Sequence, residues 1–318
     1  MIRIQQDTLA YELLTILAYV GEFPFASIYL LGNKDVWRKL VSKLSQEQTY
    51  RVLNYPDKIT GRLLNLSGEK KARTIRISQK GVFVLSLVNP DAAKYYARVF
   101  GNAHLSSAEE RIDRAHRLAE SVAFFRLVGV ETCPFILPKL QLKLFQRTVP
   151  NAPSFYTSHE LKHFGGDSVS KVAFSRITGM LFSSGGNYAV YNSRDYRMEW
   201  NGRGEGKVLV HLQGVARMNA GQEEMDSAMM LASDYSIAQL TLAFLGKVNR
   251  VENRFDKIYT HLHLIPMDSF GTRLVKILAL PDWKQILLEL LFDDSELAGV
   301  GATFGYDAIR NGAYVLSF

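Results

Sequence analysis

The chain has a single cysteine, Cys133, among its 318 residues. One cysteine excludes an internal disulfide framework and any zinc site built from several cysteines. This usage is typical of a protein that works in a reducing compartment. We therefore expect a cytoplasmic protein.

Long apolar runs are also missing. Charged residues interrupt the apolar pattern at the N-terminus, which is incompatible with the core of a signal peptide. The most apolar late window, Ile277 to Phe292, contains Asp282, Lys284 and Glu289. It predicts a core helix rather than a membrane span, so no membrane partner is expected.

Net charge is absent from the last two thirds of the chain. Residues 1–102 contain 15 Lys and Arg against 8 Asp and Glu, whereas residues 103–318 contain 23 of each kind. Because neutralising phosphates needs cations concentrated in one region, this asymmetry predicts that the first third contacts a nucleic-acid backbone.

The first third has the pattern of a helix-turn-helix core. Apolar residues recur at helical spacing from Thr8 to Val20, a shorter helix fits Ala26 to Leu31, and Asn33 is a good N-cap for a third helix over Lys34 to Leu44. The inward stripe of the third helix would include Val36. Its outward cations are the candidates for the major groove, although a merely solvated face is the alternative: Lys34, Arg38, Lys39 and Lys43.

A basic hairpin follows this helix in the sequence. Arg62 to Leu66 and Ala72 to Ile77 alternate like strands, and Ser67 to Lys71 has the composition of a hairpin tip. The strand-to-helix segment RTIRISQKGVFVL resembles the end of many winged-helix domains. A winged helix implies double-stranded DNA as the partner. The cations expected to hold the wing to phosphates are Lys70, Lys71, Arg73 and Arg76.

An amphipathic stretch from Ser106 to Leu127 follows the winged-helix segment. Its apolar positions could pair with a second copy or pack on their own domain. Since winged helices that read two half-sites are usually dimers, we favour a homodimer. The heptad-like positions are Ile112, Ala115, Leu118, Ala119, Val122 and Phe125.

The remainder predicts a second domain of mixed α/β order. Strands are predicted at Ser175–Ser183, Asn187–Ser193, Lys207–Leu212 and Ile258–Ile265, and helices at Ser158–His163, Gln222–Ala232 and Trp283–Phe292. The predicted fold class is therefore α+β. We expect a winged helix-turn-helix domain over 1–102, a helical connector over 103–150 and an α/β domain over 151–318.

Several segments of this second domain carry a resemblance to a known family. SHELK, SRITGMLF, NYAVYN, HLHLIPMDSFG and WKQILLELLF together resemble the replication-relaxation type of proteins found on plasmids and conjugative elements. Such proteins join a winged helix to a domain related to the PD-(D/E)XK nuclease fold. The resemblance implies a DNA-binding protein that acts in plasmid replication, maintenance or transcriptional control.

A working nuclease of that fold would hold a divalent metal with carboxylates on two core strands. This chain has Gly179 in the first strand and Val190, Tyr191 and Asn192 in the second. We therefore expect an inactive nuclease-like domain with no cofactor. The set Glu205-Gly206-Lys207, preceded by Asp195, leaves a metal-dependent nuclease open as an alternative.

Other segments leave further alternatives open. His159, Glu160 and His163 form an H-E-x-x-H motif, which on a long helix would bind zinc for hydrolysis. The segment is short and contains Lys162, so a solvent-facing helix is favoured. His261 and His263 also have a metal-ligand spacing.

Two more alternatives concern binding. Tyr191, Tyr196 and Trp200 alternate with arginines and could stack on unpaired bases. The neutral domain could also bind and inhibit a host protein.

Overall fold

The computed structural model describes residues 1–53, 55–69, 73–101, 109–138, 140, 152–162, 176–194, 208, 210–216, 227–233, 261–292 and 314–316. The chain forms two compact units, residues 1–123 with 133–136 and residues 124–132 with 137–318. Helices and mixed sheets are both present, which confirms the α+β class.

The first unit begins with the helices that the apolar spacing predicts. Helix α1 spans Leu9–Val20, a 3₁₀ helix spans Phe25–Leu31 and helix α2 spans Lys34–Leu44. Asn33 caps α2, because its side-chain oxygen accepts hydrogen bonds from the N–H groups of residues 35 and 36. The order of these elements is as predicted, with a 3₁₀ helix in second place.

Glycine is required at the end of α1. Gly21 has a φ of 80°, and a Cβ there would lie 2.6 Å from the ring of Phe100. Both the backbone conformation and the space therefore favour glycine at this C-cap.

The buried residues of α2 differ in part from the predicted inward stripe. Trp37, Val41 and Leu44 are buried, whereas Val36 is 46% exposed. The predicted inward position of Val36 is wrong because Trp37, one residue later, supplies the large apolar surface that packs inward.

The predicted basic hairpin is present and is paired with a third strand. Strands β5 (Leu64–Ser67) and β6 (Thr74–Ile77) are antiparallel, and β6 also pairs antiparallel with β2 (Glu22–Pro24). The sequence indicated only a break between helices at residues 22–24. The strand order of this sheet is β2-β6-β5.

A second small sheet was not predicted. Strand β1 (Ile2–Ile4) runs parallel to β3 (Gln48–Val52), and β3 is antiparallel to β4 (Ile59–Gly61). Its strands have at most five residues each, so their alternation is too brief to be recognised.

Three further helices follow: α3 (Gln79–Val88), α4 (Pro90–Phe100) and α5 (Glu109–Val128). Up to residue 123, α5 belongs to the first unit. Two hydrogen bonds hold it there. The Ser27 hydroxyl donates to the Glu120 carboxylate at 2.5 Å, and Thr74 Oγ1 lies 2.9 Å from His116 Nε2. The compact units therefore divide inside α5 rather than at residues 102 and 150.

Most of the apolar positions of α5 on which the homodimer prediction rests are buried within the chain. Leu118, Ala119, Val122 and Phe125 are at most 3% exposed within the single chain. Of the two readings of this stretch, packing within its own chain is the one observed. Ile112 and Ala115 are only half-buried. Formation of a homodimer through α5 stays a prediction.

The second unit is organised around a six-stranded sheet. Its strands are β7 (Ser154–Thr157), β8 (Ile177–Ser183), β9 (Gly186–Arg194), β10 (Ser227–Ala232), β11 (His261–Pro266) and β12 (Tyr314–Leu316). The strand order is β12-β11-β10-β9-β8-β7. Strands β7, β8 and β9 are antiparallel, and β9 to β12 are parallel. Helices of the described part of this unit include α6 (Ser158–Lys162), α7 (Ser269–Leu278) and α8 (Trp283–Phe292).

Two predicted elements of this unit have the wrong type. The strand predicted at Lys207–Leu212 falls where residues 210–216 are helical, and the helix predicted at Gln222–Ala232 contains strand β10. Every residue of β10 is buried between two parallel neighbours. A central strand of this kind lacks polar alternation, so its Ala, Met and Leu content resembles a helix.

A buried ion pair holds β2 to β6. Glu22 is 3% exposed, and its Oε2 accepts from Arg76 Nε at 2.7 Å and lies 2.6 Å from Nη2. Burial raises the pKa of Glu22 above its ordinary range, and the Arg76 guanidinium opposes that rise. Removing the arginine would leave a buried carboxylate without its counter-charge.

We expect Arg76→Ala to lower the free energy of unfolding by about 3 kcal/mol at pH 7, because an uncompensated charge remains buried. The double variant Glu22→Gln/Arg76→Ala should lose distinctly less. Arg73→Ala, an exposed arginine beside the same strand, is the control and should lose about 1 kcal/mol or less. Urea unfolding measures all three, and equal losses for the single Arg76→Ala and the double variant would contradict this account.

Candidate nucleic-acid interface

The cations predicted on α2 all face solvent. Lys34, Arg38, Lys39 and Lys43 are exposed, and the apolar side of the helix is turned inward. The ion pairs found among the described residues are Arg76 with Glu22 and Arg117 with Asp113, so none involves these four side chains. Their charges therefore remain available to an external anion.

A phenylalanine brings the helix and the hairpin together. The Cζ atom of Arg38 lies 5.9 Å from the centroid of the Phe25 ring, and that of Arg73 lies 5.8 Å from the same centroid. Both distances fall within the range of cation–π attraction. The Phe25 N–H also donates to the carbonyl of Arg73 at 2.8 Å. One half-buried ring thus holds a guanidinium from each element.

We call the resulting surface the basic face. It comprises the four exposed cations of α2 and the arginine that directly precedes β6: Lys34, Arg38, Lys39, Lys43 and Arg73. Phe25 was missed at the sequence level because Arg38 and Arg73 are far from it along the chain. Phe25 is one of two phenylalanines that flank Pro24, and nothing in this local sequence indicated the contact.

The remaining predicted hairpin cations have other positions. Arg76 is bound to Glu22, and its side chain is only 20% exposed. It serves the sheet rather than the surface, so we leave it out of the basic face. Lys70 and Lys71 lie outside the described residues.

The H-E-x-x-H segment is only partly described. Helix α6 contains five residues and ends at Lys162, while His163 lies outside the described residues. Glu160 is half-buried, and Leu161 between the motif residues is fully buried. Among the residues that the structure describes, no three His, Cys, Asp or Glu side chains are grouped to hold a metal ion.

The strand positions where a nuclease of this fold would carry its metal ligands are buried and closely packed. A Cβ at Gly179 would lie 2.3 Å from the carbonyl oxygen of Tyr156, so no carboxylate side chain fits at this position of β8. Val190 and Asn192 in β9 have no exposed surface. Asp195, Glu205 and Lys207 lie outside the described residues.

Two residues of the alternative binding sites, His263 and Tyr191, are buried in the core of the second unit. His263 is fully buried, with its ring edge-on to Tyr188 at 5.7 Å and to Trp283 at 5.3 Å. Tyr191 is fully buried as well, so it cannot stack on a base. Tyr196 and Trp200 lie outside the described residues, and the structure describes only the backbone of His261.

Comparison of the chain with protein-family models, with curated proteins and with solved structures found no match. Of the helices in the described ranges, none combines the length and the apolar character needed to cross a membrane.

One histidine of the second unit, His211, has a defined tautomer and a lowered pKa. His211 lies in the helical residues 210–216, and its Nε2 is 3.2 Å from the carbonyl oxygen of Leu161. Because a carbonyl only accepts, Nε2 must carry the proton. Burial lowers the pKa of His211, and the hydrogen bond to Leu161 partly opposes that shift.

We expect this shift to make stability depend on pH. As pH falls through the ordinary histidine value of about 6.5, the unfolded chain binds a proton before the folded chain does. The contribution of neutral His211 is therefore complete above that pH and is lost below it. Wild-type unfolding free energy should fall more between pH 7.5 and 5.5 than that of His211→Gln, and identical falls would contradict the prediction.

Proposed function

We propose that this chain is a double-stranded DNA-binding protein of a mobile element, acting in plasmid replication, maintenance or transcriptional control without catalytic turnover of its own. The observation that carries the proposal is the basic face, in which Phe25 joins the cations of α2 to the start of the hairpin strand. The concentration of net charge in residues 1–102 supports it.

In this proposal the first unit works as a winged helix. Helix α1, the 3₁₀ helix and α2 form the helix-turn-helix core, and β5 with β6 forms the wing. The antiparallel pairing of β6 with β2 on one side and with β5 on the other supports this assignment. Helix α2 then enters the major groove, where such a helix contacts base edges with its N-terminal residues.

The exposed side chains on α2 have the chemistry that this docking needs. Lysine and arginine contact phosphates or the acceptor edge of guanine, and an apolar side chain contacts the thymine methyl group. Val36, which is 46% exposed in the first turn of α2, would make the apolar contact. Lys39 and Lys43 would contact phosphates on the groove wall.

The hairpin strand would hold the complex through the DNA backbone. Arg73 is positioned by Phe25 and would meet a phosphate next to the groove that α2 occupies. Lys70 and Lys71, at the predicted tip, would extend the same contact. This part of the interface fixes register and orientation rather than sequence preference.

Replacing one phosphate-binding cation should have a defined effect on salt dependence. Lys39→Gln should weaken binding to every duplex, and it should reduce the slope of log K against log salt concentration by about 0.9. Lys94→Gln on α4 removes the same charge from another exposed position and is the matched control. Fluorescence anisotropy with a labelled duplex at several salt concentrations measures both, and equal slopes for Lys39→Gln and the wild type would contradict the assignment.

The role of Phe25 can be tested separately from its apolar packing. Phe25→Leu keeps an apolar side chain but removes the cation–π contacts, worth about 0.5–1 kcal/mol each at exposed sites. We expect duplex affinity to fall about fivefold. In an Arg38→Gln/Arg73→Gln background the same change should have no effect, whereas an unchanged fivefold loss there would show that Phe25 does not act through these arginines.

A further inference from the structure

Two arginines lie side by side on the sheet formed by β1, β3 and β4. Arg3 in β1 and Arg51 in β3 are direct partners in the parallel register. Both are exposed, whereas Ile4 and Val52, the next pair along the strands, are buried. Their side chains therefore leave the sheet on its solvent face, within one strand spacing of about 4.8 Å.

These arginines line an open cleft of about 420 Å³. Gln5, Leu53, Tyr55 and Pro56 form other parts of its lining. The Tyr55 ring is held edge-on by Phe83, with 6.0 Å between the centroids. The cleft is therefore lined both by two cations and by aromatic and apolar side chains.

Within the part of the chain that the structure describes, no acidic side chain forms an ion pair with either arginine. Like charges directly opposite each other on neighbouring strands are destabilising. An anion between the two guanidinium groups would convert that repulsion into two charge-assisted interactions.

We propose that this cleft binds a phosphate ester. Guanidinium groups present parallel N–H donors that match the oxygens of a phosphate, and two of them suit a group with several anionic oxygens. Leu53, which is 57% exposed, and Tyr55 provide a surface for the organic part of the ester. The Gln5 amide supplies a further neutral donor beside the arginines.

The site is separate from the basic face. None of its lining residues belongs to α2, the 3₁₀ helix or the β5–β6 hairpin. The phosphate ester could come from a free nucleotide or from the backbone of a bound DNA. The free-nucleotide source does not depend on the function proposed above, so the two sources need separate measurements.

The first measurement titrates the full-length protein with inorganic pyrophosphate and with ATP by isothermal calorimetry. Wild-type protein should bind both saturably, and Arg3→Gln or Arg51→Gln should each weaken binding about tenfold, as expected for loss of one charge-assisted contact. Lys94→Gln is the control and should leave the affinity unchanged. The thermal midpoint of Arg3→Gln/Arg51→Gln without ligand should equal or exceed that of the wild type, which confirms folding and reports the relieved repulsion.

The second measurement follows duplex binding by the same variants. If the site receives a DNA phosphate, Arg3→Gln/Arg51→Gln should lower the salt slope by about two, independently of Lys39→Gln. Small-ligand binding alone would identify a free nucleotide as the source, and duplex binding alone would identify the DNA backbone. The proposal is overturned if neither measurement changes when both arginines are replaced. If the wild type binds no duplex, that result counts against the proposed function instead. The calorimetric titration then decides alone whether the cleft binds a phosphate ester.

Discussion

The first unit depends on the antiparallel pairing of β2 with β6. This pairing joins two segments that are about fifty residues apart and sets Glu22 opposite Arg76. It continues one residue further through the Phe25 N–H and the Arg73 carbonyl. The 3₁₀ helix begins at that point and leads directly to α2. The position of the α2 cations relative to the hairpin therefore follows from this one ladder of hydrogen bonds.

The positively charged residues of the first unit have different structural roles. Arg76 compensates a buried carboxylate and contributes to the sheet, while Arg38 and Arg73 remain at the surface against one aromatic ring. Arg3 and Arg51 face each other on a different sheet. A count of basic residues treats all of these alike, whereas burial and partners separate them. The net charge of residues 1–102 therefore overestimates the number of cations that one bound anion or one duplex could contact.

The sequence was most informative where local chemistry determines structure. The cap at Asn33, the stop at Gly21 and the turn between β5 and β6 identified α1, α2 and the hairpin. The sequence did not predict contacts between residues that are far apart along the chain. The β1–β3 pairing places Arg3 beside Arg51, nearly fifty residues later. Glu22 forms an ion pair with Arg76 rather than with another cation of the hairpin. In the second unit, β10 was mistaken for a helix because burial between two parallel strands removes polar alternation. Lys70, Lys71 and His163 remain predictions from the sequence.

The central claim is that α2 and the hairpin together form the surface that meets duplex DNA. Photo-crosslinking of the full-length protein to duplexes carrying bromodeoxyuridine, followed by mass spectrometry of the linked peptides, tests it most directly. The account predicts crosslinks in peptides containing residues 34–43 and 73–76. Crosslinks confined to residues after 152 would contradict it. DNA binding without a crosslink in either residues 34–43 or residues 73–76 would also contradict it.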